Sequence, residues 1–442
     1  MTDDLIEQLR VRNPAPTQLP PPPIDDVLTR IAAGERPPAR RWPRWVGPSL
    51  AVAVAATVAV VVLISVGGHT QRAAGPTTPS HGTTTPLRIG RVPAMRGLLE
   101  TPVLGFGPAG TGAIAWMQVR AGTRHVTPWL ATTGDGGRSW SVRRTPLTLA
   151  TSPEFEGSND GWVQAAGPHL RFDVTHDGGR SWAPAQSAAA ATSVPGGSDM
   201  SVAGGTVWAV GTGSCARLRC HWVVMRGAAS GDRLPATAGQ PLPATNQIAT
   251  TISAASATTA YVSQPAGDGT VIYGTSDGGR HWHRIADRCA GGSSDFALTA
   301  PTATTLWRVC VRSKRFFVLR SADGGTRWSR MPLPFIPLYS FQAVSSQVAW
   351  SQDIHGTIWR TANGGGSWQP VWHSSGGPYG RPRARFSPTL SARSGDDASV
   401  LVQLTHGPTS HGRLPRSTNL VVYRTTDGGR SWNPSAVKLP PG

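Results

Sequence analysis

The residues of this chain whose types and spacing could do chemistry are carboxylates set beside glycines. Asp135, Asp177, Asp277, Asp323 and Asp427 each precede a Gly-Gly pair, and a tryptophan follows each pair: Trp140, Trp182, Trp282, Trp328 and Trp432. Asn363 and Trp368 form a sixth copy with Asn in place of Asp. An Asp-Gly repeat could belong to calcium loops or to acid catalysts. A calcium loop needs further carboxylates at alternate positions, and these phrases lack them. The histidines, His281 and His283 among them, show no metal-ligand spacing with carboxylates. No Gly-x-Ser-x-Gly elbow in a strand-to-helix context is present. The residues therefore imply no metal and no cofactor, and the repeat demands another explanation.

That explanation is turn chemistry. The phrase reads Thr/Ser-x-Asp-x-Gly-x-Ser/Thr-Trp, give or take one position, and is cleanest at 133–140, 175–182, 275–282 and 425–432, looser at 321–328 and 361–368. Glycine reaches positive φ without steric cost, and short Asp and Thr oxygens accept hydrogen bonds from nearby backbone N–H groups. The tryptophan supplies a large apolar surface. Upstream lie β-rich runs such as Val271-Ile272-Tyr273 and Val421-Val422-Tyr423, preceded by a second strand often marked by an aromatic, as at Trp162, Trp208, Tyr261, Trp307 and Trp350. Each unit is thus several short antiparallel strands, with the phrase turning the last pair.

The phrase resembles the Asp-box, or BNR repeat, of sialidases, sortilin-type receptors and photosystem II assembly-factor propellers. The resemblance implies an all-β propeller in which every box sits on a peripheral turn, away from the channel where ligands gather. The box Asp, Asn and Trp residues are then structural. Successive boxes begin at 133, 175, 275, 321, 361 and 425, and the interval of 100 after 175 hides a degenerate copy. Aligned on its strand, that copy falls at 227–234, with Ala229 in place of Asp and Leu234 in place of Trp. Seven units of about 51 residues predict a seven-bladed propeller; six or eight blades are the alternatives. Leu87 to Val92 is the expected closing strand, removing open edges.

The chain before residue 87 cannot join this core. Residues 1–45 form a largely disordered tail. Residues 46–68 contain the uncharged apolar run Ser49 to Gly68, long enough as a helix of about 30 Å to cross a bilayer. Arg36, Arg40, Arg41 and Arg44 precede it, with Trp42 and Trp45 as interfacial aromatics, so the N-terminus is expected in the cytoplasm and the propeller outside the plasma membrane. A cleaved signal peptide is the rival reading, disfavoured by the long preceding segment. Residues 69–86, rich in Thr, Pro, Gly and Ser, make a flexible stalk. Residues 87–442 are the propeller. Cys215 with Cys220, and Cys289 with Cys310, is the simplest of three disulfide connectivities, in keeping with an oxidising exterior.

The formal net charge is +18, nearly all from arginine, since Lys314 and Lys438 are the only lysines. This bias reads partly as high-GC bacterial codon usage. It also suits contact with anionic lipids or acidic wall polymers, whereas nucleic acid is an unsuitable partner for an exported domain. The sialidase resemblance would require an Arg triad, an acid/base Asp and a Tyr activated by a Glu. Arg91-Val92-Pro93 matches the family's Arg-Ile-Pro faintly, but no Glu follows Glu156. The expected function is non-catalytic recognition of an envelope protein, peptide or glycan. A sialidase-like hydrolase and an envelope sensor signalling through the cytoplasmic tail are the alternatives. The candidate binding segment runs from Gly376 to Asp397 and carries Tyr379, Arg381, Arg383, Arg385 and Arg393.

Overall fold

A computed structural model describes residues 83–84 and, with interruptions, 95–440; the longest interruptions are 120–125, 189–198, 290–296, 374–388 and 407–416. Residues 1–82, which include the expected tail, membrane span and most of the stalk, lie outside the described residues.

Strands in this chain are buried along most of their length rather than on alternate residues. Leu306–Arg312 is buried at its first five positions and Arg315–Ser321 at five of seven. Such a strand needs cover on both faces of its sheet. Seven small antiparallel sheets supply that cover for one another. The first blade comprises Leu98–Phe106, Gly112–Val119, Val126–Thr133 and Ser141–Arg144, paired in that order. The second places Thr148–Leu149 and Glu154–Glu156 against Asp160–Ala166, followed by Arg171–Thr175 and Ala183–Pro184. Four-stranded blades then span Asp199 to Thr245, Thr251 to Ile285, Ala297 to Pro332 and Pro337 to His373. The seventh runs Thr389–Ala392, Ala398–His406, Ser417–Thr425 and Ser431–Val437. The innermost strand of each blade touches that of the next, and the first touches the seventh, so the ring is a closed seven-bladed propeller.

The first described residues meet the C-terminal strand at the seventh blade. Thr83–Thr84 runs parallel to its outer strand, Thr83 opposite Ser431 and Thr84 opposite Trp432. Met95–Arg96 pairs with the start of its third strand, opposite Thr418 and Ser417. These contacts flank the stretch expected to close the ring, and residues 87–92 themselves lie outside the described residues.

Each eight-residue phrase forms the turn between third and fourth strands. At Thr275 the hydroxyl donates to Asp277 Oδ1 (2.9 Å) and accepts from Gly279 N (3.0 Å). Asp277 Oδ1 accepts from the N–H groups of Arg280 and His281, both 3.0 Å. The two glycines of all six turns have φ between 71° and 93°, a left-handed pair that other residues adopt only under strain. Asn363 keeps the geometry with one polarity reversed: its Nδ2 donates to Ser367 Oγ (2.9 Å), whereas Asp427 Oδ2 accepts from Ser431 Oγ (2.6 Å). The tryptophan that ends each turn joins the cluster filling the seam with the preceding blade. Trp282 meets Trp208 edge to face at 6.4 Å, and Trp432 meets Trp350 at 6.3 Å. The degenerate copy keeps this packing without the polar network: Leu234 is fully buried in the corresponding seam. There Arg233 and Leu234 pair in parallel with Gln186 and Ser187 of the second blade.

Thr275→Val removes a buried acceptor and leaves the Gly279 N–H unpaired, which costs about 1–3 kcal/mol. Equilibrium denaturation followed by tryptophan fluorescence should show that loss. A change below about 0.5 kcal/mol, the scale of an unremarkable surface substitution, would contradict the structural role of the turn.

Candidate functional site

Carboxylates are the scarce resource for any chemistry here, so their positions decide what the propeller can do. The five turn aspartates are each tied into their own turn. Hydrogen bonds from Ser139 hold Asp135 far below the usual carboxylate range, and those from His281 do the same for Asp277. Burial works against Asp427, yet the hydrogen bonds from Ser431 keep it at about 2. Ionised and fully coordinated, these groups have no proton to give and little affinity for one.

A second set stands at the hub, where innermost strands expose one unpaired edge. Glu154 Oε2 accepts from Val202 N (2.7 Å) and Glu156 Oε1 from Gly205 N (3.0 Å), joining the second blade to the third. Asp199 Oδ2 accepts from Ile252 N (3.0 Å), and Ser201 Oγ accepts from Ala254 N (3.0 Å), joining the third to the fourth. Ser253 and Gln342 continue the belt, accepting from Ala300 N (2.9 Å) and Ala392 N (2.6 Å). Side chains of one blade thus satisfy the edge of the next, as buried backbone donors require. Glu154 and Asp199 keep partial contact with water, but the surrounding protein is dense. Burial pushes Glu154 up to about 8, against the Val202 hydrogen bond and with the nearby Asp199 adding to the rise. Burial likewise lifts Asp199 to about 6, against hydrogen bonds from Ile252 and Met200.

Most of the remaining described carboxylates are also held by partners, whereas Asp232 and Asp396 are largely exposed. Asp173 holds Arg171 (2.8 Å), and Asp353 accepts from His355 N, Thr357 N and Trp359 Nε1, each at 2.8 Å. Asp160 meets His176 (2.7 Å), while Asp397 bridges Arg393 and Arg424. Asp396 lies 3.8 Å from Arg360, and Asp232 the same distance from Arg233. Among the described residues, no group of three or more His, Cys, Asp and Glu side chains could hold a metal ion. The Tyr261 hydroxyl is spent across a seam, donating to Ala303 O (2.6 Å), and Tyr423 packs in an apolar cluster.

The expected arginine set is divided by the structure. Tyr379, Arg381, Arg383 and Arg385 lie outside the described residues. Arg393 belongs elsewhere: it is half-buried at the inner turn of the seventh blade, paired with Asp397, with its guanidinium 4.7 Å from the Phe106 ring centre of the first blade. It is a closure residue, and nothing in its neighbouring sequence distinguishes it from the other arginines of the segment. Cys289 and Cys310 form a disulfide with Cα atoms 5.7 Å apart, and Cys215 stands opposite Cys220 in adjacent strands. The hub carboxylates were not singled out in the sequence, where Glu154 and Glu156 register only as the last glutamates. Their alternation on a short strand was the available signal.

For the hub pair the stability linkage has a definite sign. A carboxyl whose folded pKa is raised binds protons more tightly in the folded state, so its contribution is present below the unfolded value of about 4 and is lost as pH rises through the folded one. Glu154→Gln should therefore flatten the fall in stability between about pH 4.5 and pH 8. Urea midpoints across that range test this, and a variant whose pH profile parallels that of the parent would refute it.

No protein-family model matches the chain, and no curated protein matches it. Solved structures similar to it include YCF48 from Cyanidioschyzon merolae, at 13% identity and TM-score 0.46, covering 75% of this chain and 96% of that one. A YCF48 bound to D1 peptide is similar at 17% identity and TM-score 0.42, covering 67% and 84%. A Mycobacterium tuberculosis puromycin-hydrolyzing peptidase is similar at 14% identity and TM-score 0.46, covering 83% of this chain and 57% of that one.

Proposed function

We propose that this chain is a non-catalytic recognition propeller, held outside the plasma membrane by an uncleaved N-terminal span and binding an acidic envelope protein, peptide or glycan on the face opposite the eight-residue turns. The observation that carries this reading is that most of the described carboxylates are tied into turns, hub edges and ion pairs. Acid–base or nucleophilic hydrolysis needs carboxylates free to exchange protons with a substrate. The turns, read as Asp-boxes, are structural and leave recognition to the longer connections at the other end of the blades. In sequence, the segment between the last strand of the sixth blade and the first of the seventh carries Arg381, Arg383 and Arg385. The +18 formal charge favours an anionic partner. The uncharged run Ser49 to Gly68 behind four arginines supports the anchor.

Photo-crosslinking in cells of the native organism separates this reading from its rivals. A crosslinker at position 381 should yield a discrete adduct, and one at the exposed turn position 426 should yield none. Adducts only from 426 would sink the proposal. Turnover of a fluorogenic sialoside by the full-length protein, abolished by Glu154→Gln, would replace it with a hydrolase.

A further inference from the structure

The seam between the first and second blades is built from different side chains than the others: Phe155 and Trp182 fill its apolar part, and Arg143 crosses it to Gly179 O (2.8 Å). In five blades an aromatic on the second strand crosses to a backbone oxygen of the following blade: Trp162 to Ala229, Trp208 to Ser256, Tyr261 to Ala303, Trp307 to Ser345 and Trp350 to Ser394. Opposite three of these indoles, at the end of the third strand, stand Arg226, Arg320 and Arg360. Each lies over its indole, 5.4–5.7 Å from the ring centre, and reaches toward the next turn. The seventh blade has Ser399 in place of the aromatic but keeps the arginine, and Arg424 donates to Gly136 O (2.8 Å). In the first blade the same two positions are Ala113 and Thr132, so both groups are missing together. A third difference adds room. The second turn position is Gly134 here, where the other five turns carry His176, Ser276, Ala322, Ala362 and Thr426.

A cavity of about 300 Å³ opens at this seam, at the small end of ligand-site sizes, which run to about 1,000 Å³. Thr111 takes over the crossing hydrogen bond, donating to Ser158 O (2.8 Å), and Phe155 of the second blade meets Trp182 edge to face at 6.1 Å, so the cavity lies beside the packed apolar cluster of this seam. The wall is polar: Thr132, Ser141, Ser158, Asn159 and Arg180 contribute to it, and no carboxylate does. Hydroxyl and amide groups both donate and accept, a match for a polyol. The Arg180 guanidinium spends one N–H on Asp177 O (2.8 Å) and has others for an anion. An apolar ligand would leave the hydroxyls unpaired, and a cation would meet the Arg180 charge.

We propose that this cavity binds one carboxylated sugar of the uronate class, its carboxylate on Arg180 and its ring hydroxyls on the Ser, Thr and Asn wall. The site lies beside the turns and is independent of the recognition face argued above. Titration calorimetry of the full-length protein with D-glucuronate and D-glucose tests it. Glucuronate should bind, and glucose should bind roughly tenfold or more weakly, the value of one charge-assisted hydrogen bond. Arg180→Ala should reduce glucuronate to the level of glucose. Gly134→His should abolish binding while leaving the melting temperature unchanged, because a Cβ at Gly134 meets open space, its φ is ordinary, and the second turn already carries His at this position. A glucuronate-terminated oligosaccharide that binds at least as tightly as the free sugar would assign the ligand to a polymer end, and a weaker one to the free acid. Absence of glucuronate binding, equal affinity for glucose, or binding untouched by Gly134→His would overturn the proposal.

Discussion

No blade of this propeller can be stable alone, because each sheet is apolar on both faces and each inner edge carries unpaired backbone groups. The ring must close, and it closes between residues separated by most of the chain. Gln403 Nε2 donates to Leu99 O (2.8 Å), Thr389 Oγ1 to Pro102 O (3.0 Å) and Arg424 Nη1 to Gly136 O (2.8 Å). An apolar cluster from Met95 through Trp129 to Leu420 and Leu439 fills the same seam. The Arg393–Asp397–Arg424 network adds to it, with Arg393 over the Phe106 ring of the first blade. The seams are variations on one plan, and the one joining the first and seventh blades adds a charged network to its apolar cluster.

Closure explains why so much of the chemically suggestive inventory is structural. An aspartate in a turn is held ionised by Thr, Ser and backbone donors; a carboxylate at the hub accepts the edge N–H groups of its neighbour. The first kind becomes a poorer proton acceptor than free Asp, the second a better one. Glu154 at about 8 and Asp427 at about 2 are the same functional group driven apart by surroundings. What remains for recognition is the part of each blade not used in closure, together with any seam whose filling is incomplete.

The repeated phrase made the turns, their tryptophans and the seven-fold count legible in sequence, because local chemistry dictates them. The cysteine spacing left three connectivities open, and the Cys289–Cys310 bond belongs to the simplest of them. The degenerate copy could be located from its flanking strand, although its parallel pairing with 186–187 could not. The destinations of Glu154, Arg226 and Arg393 were not legible, since each ends on a blade that the local pattern does not specify. The cavity between the first and second blades is the clearest case. Thr111, Thr132 and Gly134 are unremarkable singly, and only their convergence against Ser158, Asn159 and Arg180 of the second blade lines it.

Hydrogen exchange measured by mass spectrometry on an Arg424→Ala variant tests the dependence on closure most directly. Arg424 joins Asp397 of its own blade to Gly136 of the first. If the ring is held by that seam, amide protection should fall together in the first and seventh blades while the fourth is changed least. Loss confined to the seventh blade, with the turn at 133–140 as protected as before, would contradict it.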